Sequence, residues 1–354
     1  MEKVVYLLGA GSTQSEINFQ GKDSKTTMSE ISKGVLKMSR RGSGLFYKLS
    51  QNKDFPLIKD QDIEKLMSLF QGYDDELADY KKVYEEIRKL FRDYLIKQIT
   101  KKKIKPHILN SLLYAYKNYD RYIGENGEKL MAVLTTNYDT LLDYSFDKVF
   151  DSINLGFSFT SEKYKLKEDI PLLLKLHGSF NWEIKDYELC VHDDTTLRNI
   201  KVGNKGWLPP SVYKKPQLDL YKAIWSKAKK ALIECDVLRV IGCSLRNEDI
   251  SLLSLIFTSQ LSKFRNTKNN KTFNIEFIDF EDSIVGNEKK EGVLQRLPFL
   301  ANASPFDSIL YYDKDMDDGH NPFNSWVKML VKNISLRNNS IYEDEFIIEN
   351  LKLD

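Results

Sequence analysis

The sequence predicts an α/β fold built on a doubly wound parallel sheet, and three observations predict it. Five short apolar runs are spread along the chain, stretches of helical apolar period lie between them, and every run ends in small, polar or glycine-rich residues. Near-continuous Val, Ile and Leu suits strands covered by helices on both faces, and strands alternating with helices make parallel pairings.

The first strand is predicted over residues 4–8 and runs into Gly9-Ala10-Gly11-Ser12. The second, over 130–134, runs into Thr135-Thr136-Asn137-Tyr138-Asp139, and the third, over 172–176, ends at His177-Gly178-Ser179. The fourth covers 237–241 and ends at Gly242-Cys243-Ser244; the fifth covers 273–278 and ends at Asp279. Helices are predicted over 62–70, 79–99, 105–122, 220–234, 249–263 and 324–334.

The interval between the first two strands is too long for one crossover helix, so a helical insertion over about residues 13–129 is expected beside the sheet. Residues 180–215, with Trp182, Trp207 and Pro209-Pro210, predict an irregular excursion; both segments are expected to line a cleft. Residues 1–280 are read as one unit that carries the sheet and the insertion. Residues 281–354, with an acidic tail from 343 onward, are read as a C-terminal extension for interaction or oligomerisation.

A chain of 354 residues is long enough for one large domain, or one large and one small, with a full core. Its 53 basic and 51 acidic residues argue against a continuous phosphate-tracking face, so Lys101, Lys102, Lys103 and Lys105 read as a solvated helix end. The first apolar run, about six residues long, is too short for a signal-peptide core or a membrane span, which predicts a cytoplasmic protein. Cys190, Cys235 and Cys243 are odd in number and widely spaced, which fits reduced thiols; with no C-x-x-C pair they also predict no structural zinc. Cys190 and His192 lack two further nearby ligands for a metal.

In an open parallel sheet, ligands bind beyond the carboxyl ends of the strands, so the five polar endings address one crevice. Gly9-Ala10-Gly11 lets backbone N–H groups approach a pyrophosphate, although a tight turn alone would also account for it. A third glycine is missing, because position 14 is Gln14, and this speaks against a standard dehydrogenase site. Asn137 and Asp139 flank Tyr138, so in extended geometry their side chains fall on one side, where they would address one ligand or form an Asx turn capping the next helix. His177 leaves the third strand where an imidazole can serve as a base, or simply as a structural histidine.

Taken together, Gly-Ala-Gly-Ser after the first strand, T-x-N-x-D at Thr135, Asn137 and Asp139, His177-Gly178, and G-x-S at Gly242 and Ser244 stand in the order found in sirtuins. The chain resembles this family over roughly residues 3–280, and most resembles the bacterial sirtuin-like NADases of antiphage defence. Three departures separate it from the deacylase branch. Only Cys190 lies within the 50 residues after His177, where deacylases carry a four-cysteine zinc module. The first loop reads Thr13-Gln14-Ser15-Glu16-Ile17-Asn18-Phe19-Gln20 in place of a small-residue run ending in Pro and Asp-Phe-Arg, and the helical insertion is long.

The resemblance implies a Rossmann-like fold without a zinc module and NAD+ as substrate. It implies NAD+ glycohydrolase activity that yields nicotinamide and ADP-ribose and depletes NAD+ in abortive infection. Asn137 would contact the nicotinamide ribose and the attacking water, Asp139 the carboxamide, and His177 a ribose hydroxyl as base. Gly9, Ala10, Gly11, Ser12, Thr136, Gly242 and Ser244 would surround the cofactor, with Asp279 accepting from the adenosine ribose and so favouring NAD over NADP. A homo-oligomer and activation by a HerA-type hexameric ATPase are implied partners. The alternatives are a deacylase or ADP-ribosyltransferase, and a subunit that binds NAD or ADP-ribose without turnover.

Overall fold

A computed structural model describes residues 1–26, 28–39, 44–51, 63–71, 78–99, 103–117, 127–186, 188–193, 206–210, 219–246, 249–267, 271–279, 286–287, 290–296 and 321–338. Its centre is a five-stranded parallel sheet made of β1 (Glu2–Leu8), β2 (Glu128–Thr135), β3 (Leu172–Lys175), β6 (Val237–Ile241) and β7 (Asn274–Ile278), in the order β3-β2-β1-β6-β7. The strands β4 (Trp182–Lys185) and β5 (Glu188–Val191) form a separate antiparallel pair. Between β1 and β2 lie α1 (Ala10–Phe19), α2 (Met28–Ser39), α3 (Leu45–Gln51), α4 (Ile63–Gln71), α5 (Ala78–Ile99) and α6 (His107–Lys117). Beyond β2 come α7 (Leu141–Phe150), α8 (Asp219–Glu234), α9 (Ile250–Asn266), the short α10 (Val293–Arg296) and α11 (Pro322–Asn338).

The winding follows from the crossovers. Helices α1, α6, α7 and α11 contact one another on one side of the sheet, whereas α8 and α9 pack together on the other, with α8 against β1, β2 and β3. Chain order reverses at β1, which is flanked by β2 and β6, so the switch point is the gap between the ends of β1 and β6. Leu8 pairs with Thr135 and Ile241, Thr135 with Lys175, and Ile241 with Ile278. The five strands therefore end on one register row, and the turns that leave them emerge along a single edge.

Residues 4–8 of β1 and all of β6 are buried, as strands with helices on both faces must be. The polar exceptions are paired. Arg239 in β6, 4% exposed, binds Glu128 through both Nη atoms at 2.6 Å and Glu276 through Nε at 2.7 Å, and lies over the Trp326 ring of α11. Phe323, Trp326, Val327, Leu330 and Val331 place α11 in the main core. The C-terminal extension thus contributes one helix to the sheet domain.

The helices of the insertion build a second apolar cluster from Ile31, Val35, Phe46, Leu66, Val83, Ile87 and Phe91, among others. Tyr138, Phe180 and Trp207 belong to that cluster and dock it on the sheet. The Tyr138 and Phe180 rings stack at 5.3 Å, and Phe91 of α5 stands edge-on to Tyr138 at 5.7 Å. Such aromatic pairs contribute about 0.5–1.5 kcal/mol each beyond their burial.

Each strand and helix expected from the sequence is present, with ends differing by a few residues. The predicted helix over 105–122 is seen as His107–Lys117, because 118–126 lie outside the described residues, as do Lys101, Lys102 and the acidic tail. α1 starts at Ala10, so the glycine-rich stretch is the first turn of a helix rather than a loop before one. No helix among the described residues is long and apolar enough to cross a membrane.

Candidate functional site

One step beyond the register row, two glycine turns interlock. Gly9 N–H donates to Ile241 O at 3.0 Å, and Gly11 N–H to Gly242 O at 2.9 Å. A Cβ on Gly11 would lie 2.6 Å from Gly242 Cα, and one on Gly242 would lie 2.4 Å from Ser12 N. Gly242 also has φ +58°, the left-handed region that glycine occupies without strain. These glycines allow the β1 and β6 turns to touch at the switch point.

From β2, the side chain of Asn137 reaches into the β1 turn. Its Nδ2 donates to Gly9 O at 2.9 Å and to Thr13 Oγ1 at 3.0 Å. Because Gly9 O can only accept, the amide nitrogen must face it, which directs Asn137 Oδ1 to the other side. Thr13 Oγ1 in turn donates to Asp139 Oδ2 at 2.8 Å, while Leu141 N–H donates to Asp139 Oδ1 at 3.0 Å. Asn137 and Asp139 thus share one side of the segment, as their spacing predicts, and Tyr138 points the other way into the aromatic cluster. Asp139 also makes the Asx turn at the start of α7. Burial pushes its carboxyl above the usual carboxylate range, against the opposing pull of Lys175 and the Thr13 hydroxyl.

The His177 turn is fixed by its backbone and by a buried cation. Leu208 N–H donates to His177 O at 2.8 Å, and Ser179 N–H to Gly206 O at 3.0 Å, so the excursion after β5 returns to brace this turn. Lys175, with no exposed side-chain surface, donates from Nζ to Asp143 Oδ2, Asp139 O and Ser179 Oγ, each at 2.6 Å. One ammonium group therefore ties together the end of β3, the Asn137–Asp139 loop and the first turns of α7. Tyr138 lies beside His177, with ring centroids 6.0 Å apart.

These endings surround a cavity of about 490 Å³, a size suited to a small-molecule site. Gly9, Ala10, Gly11, Thr136, Asn137, Asp139, His177, Gly242, Ser244 and Asp279 all line it, as does Pro210 from the excursion. The insertion forms a wall through Thr26, Met28, Glu64, Phe91 and Leu95, among others. Ser12 is the one expected site residue outside the lining. It is 2% exposed, and its hydroxyl donates to Gly9 O at 2.8 Å, closing the first turn of α1.

Several residues here were not predicted. Gln14, conspicuous in the sequence only for not being glycine, accepts from Thr26 N–H at 3.0 Å and donates to Ser24 O at 3.1 Å, holding the wall segment after α1. Thr13 carried no signal. Lys175 did, as the one charged residue in an apolar strand. Arg246 lines the cavity and contacts Glu64 of α4 at 3.4 Å. Among the described residues no group of three or more His, Cys, Asp or Glu could hold a metal ion. Cys190 Sγ accepts from Thr160, and His192 pairs with Glu183.

Residues 131–285 match the family model described as SIR2-like domain, a span that runs from β2 through the Asn137, His177 and Gly242 turns to Asp279. Among solved structures, a Sir2 enzyme aligns with TM-score 0.43 and 14% identity over 95% of this chain and 93% of that one. A Sir2 homologue in complex with NAD aligns with TM-score 0.44 and 12% identity over 94% and 91%, and Sir2 with a p53 peptide and NAD+ with 0.43 and 13% over 94% and 93%. No curated protein sequence matches the chain significantly.

Proposed function

We propose that this chain, which carries a SIR2-like domain across residues 131–285, binds NAD+ in the cavity at the switch point and cleaves its nicotinamide–ribose bond, releasing nicotinamide and ADP-ribose. The observation that carries this reading is the convergence of Asn137, Asp139 and His177 with the interlocked glycine turns on one cavity, at the place where open parallel sheets take dinucleotides.

The chemistry asks little of an acid, because nicotinamide in NAD+ is already a cationic leaving group. It asks for an oriented ribose, stabilisation of positive charge developing at the anomeric carbon, and an aimed nucleophile. Asn137 Oδ1, turned away from Gly9 by the amide's own bonds, is the acceptor for a ribose hydroxyl or the attacking water. His177 serves as the base that takes a proton from that hydroxyl or water. Asp139 accepts from the carboxamide and holds Thr13 in place. Asp279, at the β7 end, accepts from the adenosine ribose hydroxyls, and Gly9, Ala10, Gly11, Thr136, Gly242 and Ser244 form the floor beneath the diphosphate.

The test is nicotinamide release from NAD+, followed by chromatography with purified protein and in cells expressing it. Asn137→Ala and His177→Ala should each lower release by roughly 10²–10⁴-fold, the range for losing a general base or a key positioning group, while the protein stays folded. Full activity in either variant overturns the assignment. Release from NAD+ alone, with no acyl-lysine peptide present, separates hydrolysis from deacylation. Binding of NAD+ with no turnover in purified protein and in cells would favour a sensing subunit. We place the activity in antiphage defence, with self-assembly and a HerA-type ATPase as candidate activators, because the first loop, the long insertion and the cysteine count depart from the deacylase pattern. Unchanged NAD+ in phage-challenged cells would remove that role.

A further inference from the structure

The charge of the cavity does not suit a diphosphate unless one residue is assigned to it. Four carboxylates, Glu64, Asp139, Asp249 and Asp279, line the space, and Arg246 is the one lysine or arginine among the described lining residues. The β1 turn supplies less than an open helix N-terminus would. Gly9 N–H and Gly11 N–H are engaged by Ile241 O and Gly242 O, and Ser12 N–H by Gly9 O. An anion placed there meets few backbone donors and several negative charges.

Arg246 is built to answer this. It lies on the loop from β6 to α9, four positions beyond Gly242, directly after Leu245. Leu245 has φ +41° with its side chain only 1% exposed. A leucine held in the left-handed region is strained, and strain of this kind is characteristic of ligand clamps. The buried Leu245 side chain anchors the backbone and leaves the Arg246 side chain, a third exposed, at the cavity. There its Nη1 is 3.4 Å from Glu64 Oε2, long beside the 2.7–2.9 Å of a tight charge-assisted bond. Glu64 belongs to α4, which is part of the insertion.

We propose that Arg246 is the diphosphate-binding residue of this cavity and that Glu64 competes with the ligand for its guanidinium, so that the helical insertion sets the affinity for dinucleotide. The inference rests on reading the cavity as a dinucleotide site. Filling the site moves Arg246 from the Glu64 carboxylate to a phosphate oxygen, which loosens one tie between the insertion and the β6–α9 loop.

The two partners of this ion pair should respond with opposite sign, which a merely structural pair would not do. Binding of ADP-ribose, NAD+ and adenosine to the full chain is measured by calorimetry. Arg246→Gln should weaken ADP-ribose and NAD+ roughly 10-fold or more, the loss expected for a charge-assisted hydrogen bond, and leave adenosine unchanged. Glu64→Gln should strengthen both diphosphate ligands several-fold, with both variants melting like the wild type. Equal ADP-ribose affinity in wild type and Arg246→Gln overturns the assignment, as does weakening in both variants. If the wild type binds neither NAD+ nor ADP-ribose, the dinucleotide reading itself falls and takes this inference with it.

Discussion

Lys175→Met offers a sharp test of how the site is held together. The Lys175 ammonium and the Asp143 carboxylate are both fully buried, and Asp143 Oδ1 has no hydrogen-bond partner among the described residues. Methionine keeps most of the volume of the lysine stem but removes its charge and three donors. Removing one partner of a buried ion pair costs about 3–5 kcal/mol, because the other charge stays behind in a low dielectric. Asp139 O and Ser179 Oγ lose a bond each, adding on the order of 1 kcal/mol. A total of about 4–6 kcal/mol is a large part of the 5–15 kcal/mol that holds a typical domain.

The assay is urea unfolding of wild type, Lys175→Met, Asp143→Leu and the double variant, which closes a double-mutant cycle. The double variant should recover roughly 2 kcal/mol or more over Lys175→Met, since no buried charge remains. A loss under about 1 kcal/mol, or a double variant no better than the single one, would refute the knot.

Two further predictions concern the elements around it. Gly242→Ala places a methyl 2.4 Å from Ser12 N at φ +58°; beyond the roughly 1–2 kcal/mol of left-handed strain, it must push the β1 and β6 turns apart, so ADP-ribose binding should be lost along with several degrees of melting temperature. A wild-type melting curve with full binding would mean that the turns are not interlocked. Glu16, fully buried on α1, accepts from the His107 and Leu109 N–H groups, and burial pushes its carboxyl up to about 8 from 4.5. Its folded value lies above its unfolded one, so its contribution is fully present below about pH 4.5 and lost as pH rises through about 8. Glu16→Gln should flatten the pH dependence of unfolding across that window, and an unchanged slope would assign it to other groups.

The candidate site was legible in the sequence to the extent that its parts are strand endings. A short, mostly apolar run followed by glycine, threonine or histidine states where a buried strand stops, and in a parallel sheet that is enough to locate a crevice. Asn137 and Asp139 could be placed on one side from strand periodicity, and the spacing between β1 and β2 announced the insertion. The position of Ser12 was not legible, because a Gly-Ala-Gly-Ser string reads equally as a loop or as the first turn of a helix. In the fold it is the latter, which turns its hydroxyl back onto Gly9.

What the sequence alone determined was local: which segments are strands or helices, where each stops, and which polar residues stand at those stops. These depend on side-chain period and on backbone freedom within a few residues. The tertiary structure decided everything that joins distant positions. Gly11 and Gly242 matter to each other across more than two hundred residues because two turns touch with no room for a Cβ. Lys175 is a knot because three acceptors from different segments converge on one ammonium. Arg246 faces the cavity opposite Glu64 because the insertion folds back over the β6 turn. Such pairings are set by packing, whose partners no local pattern names, and they turn a row of strand endings into one site.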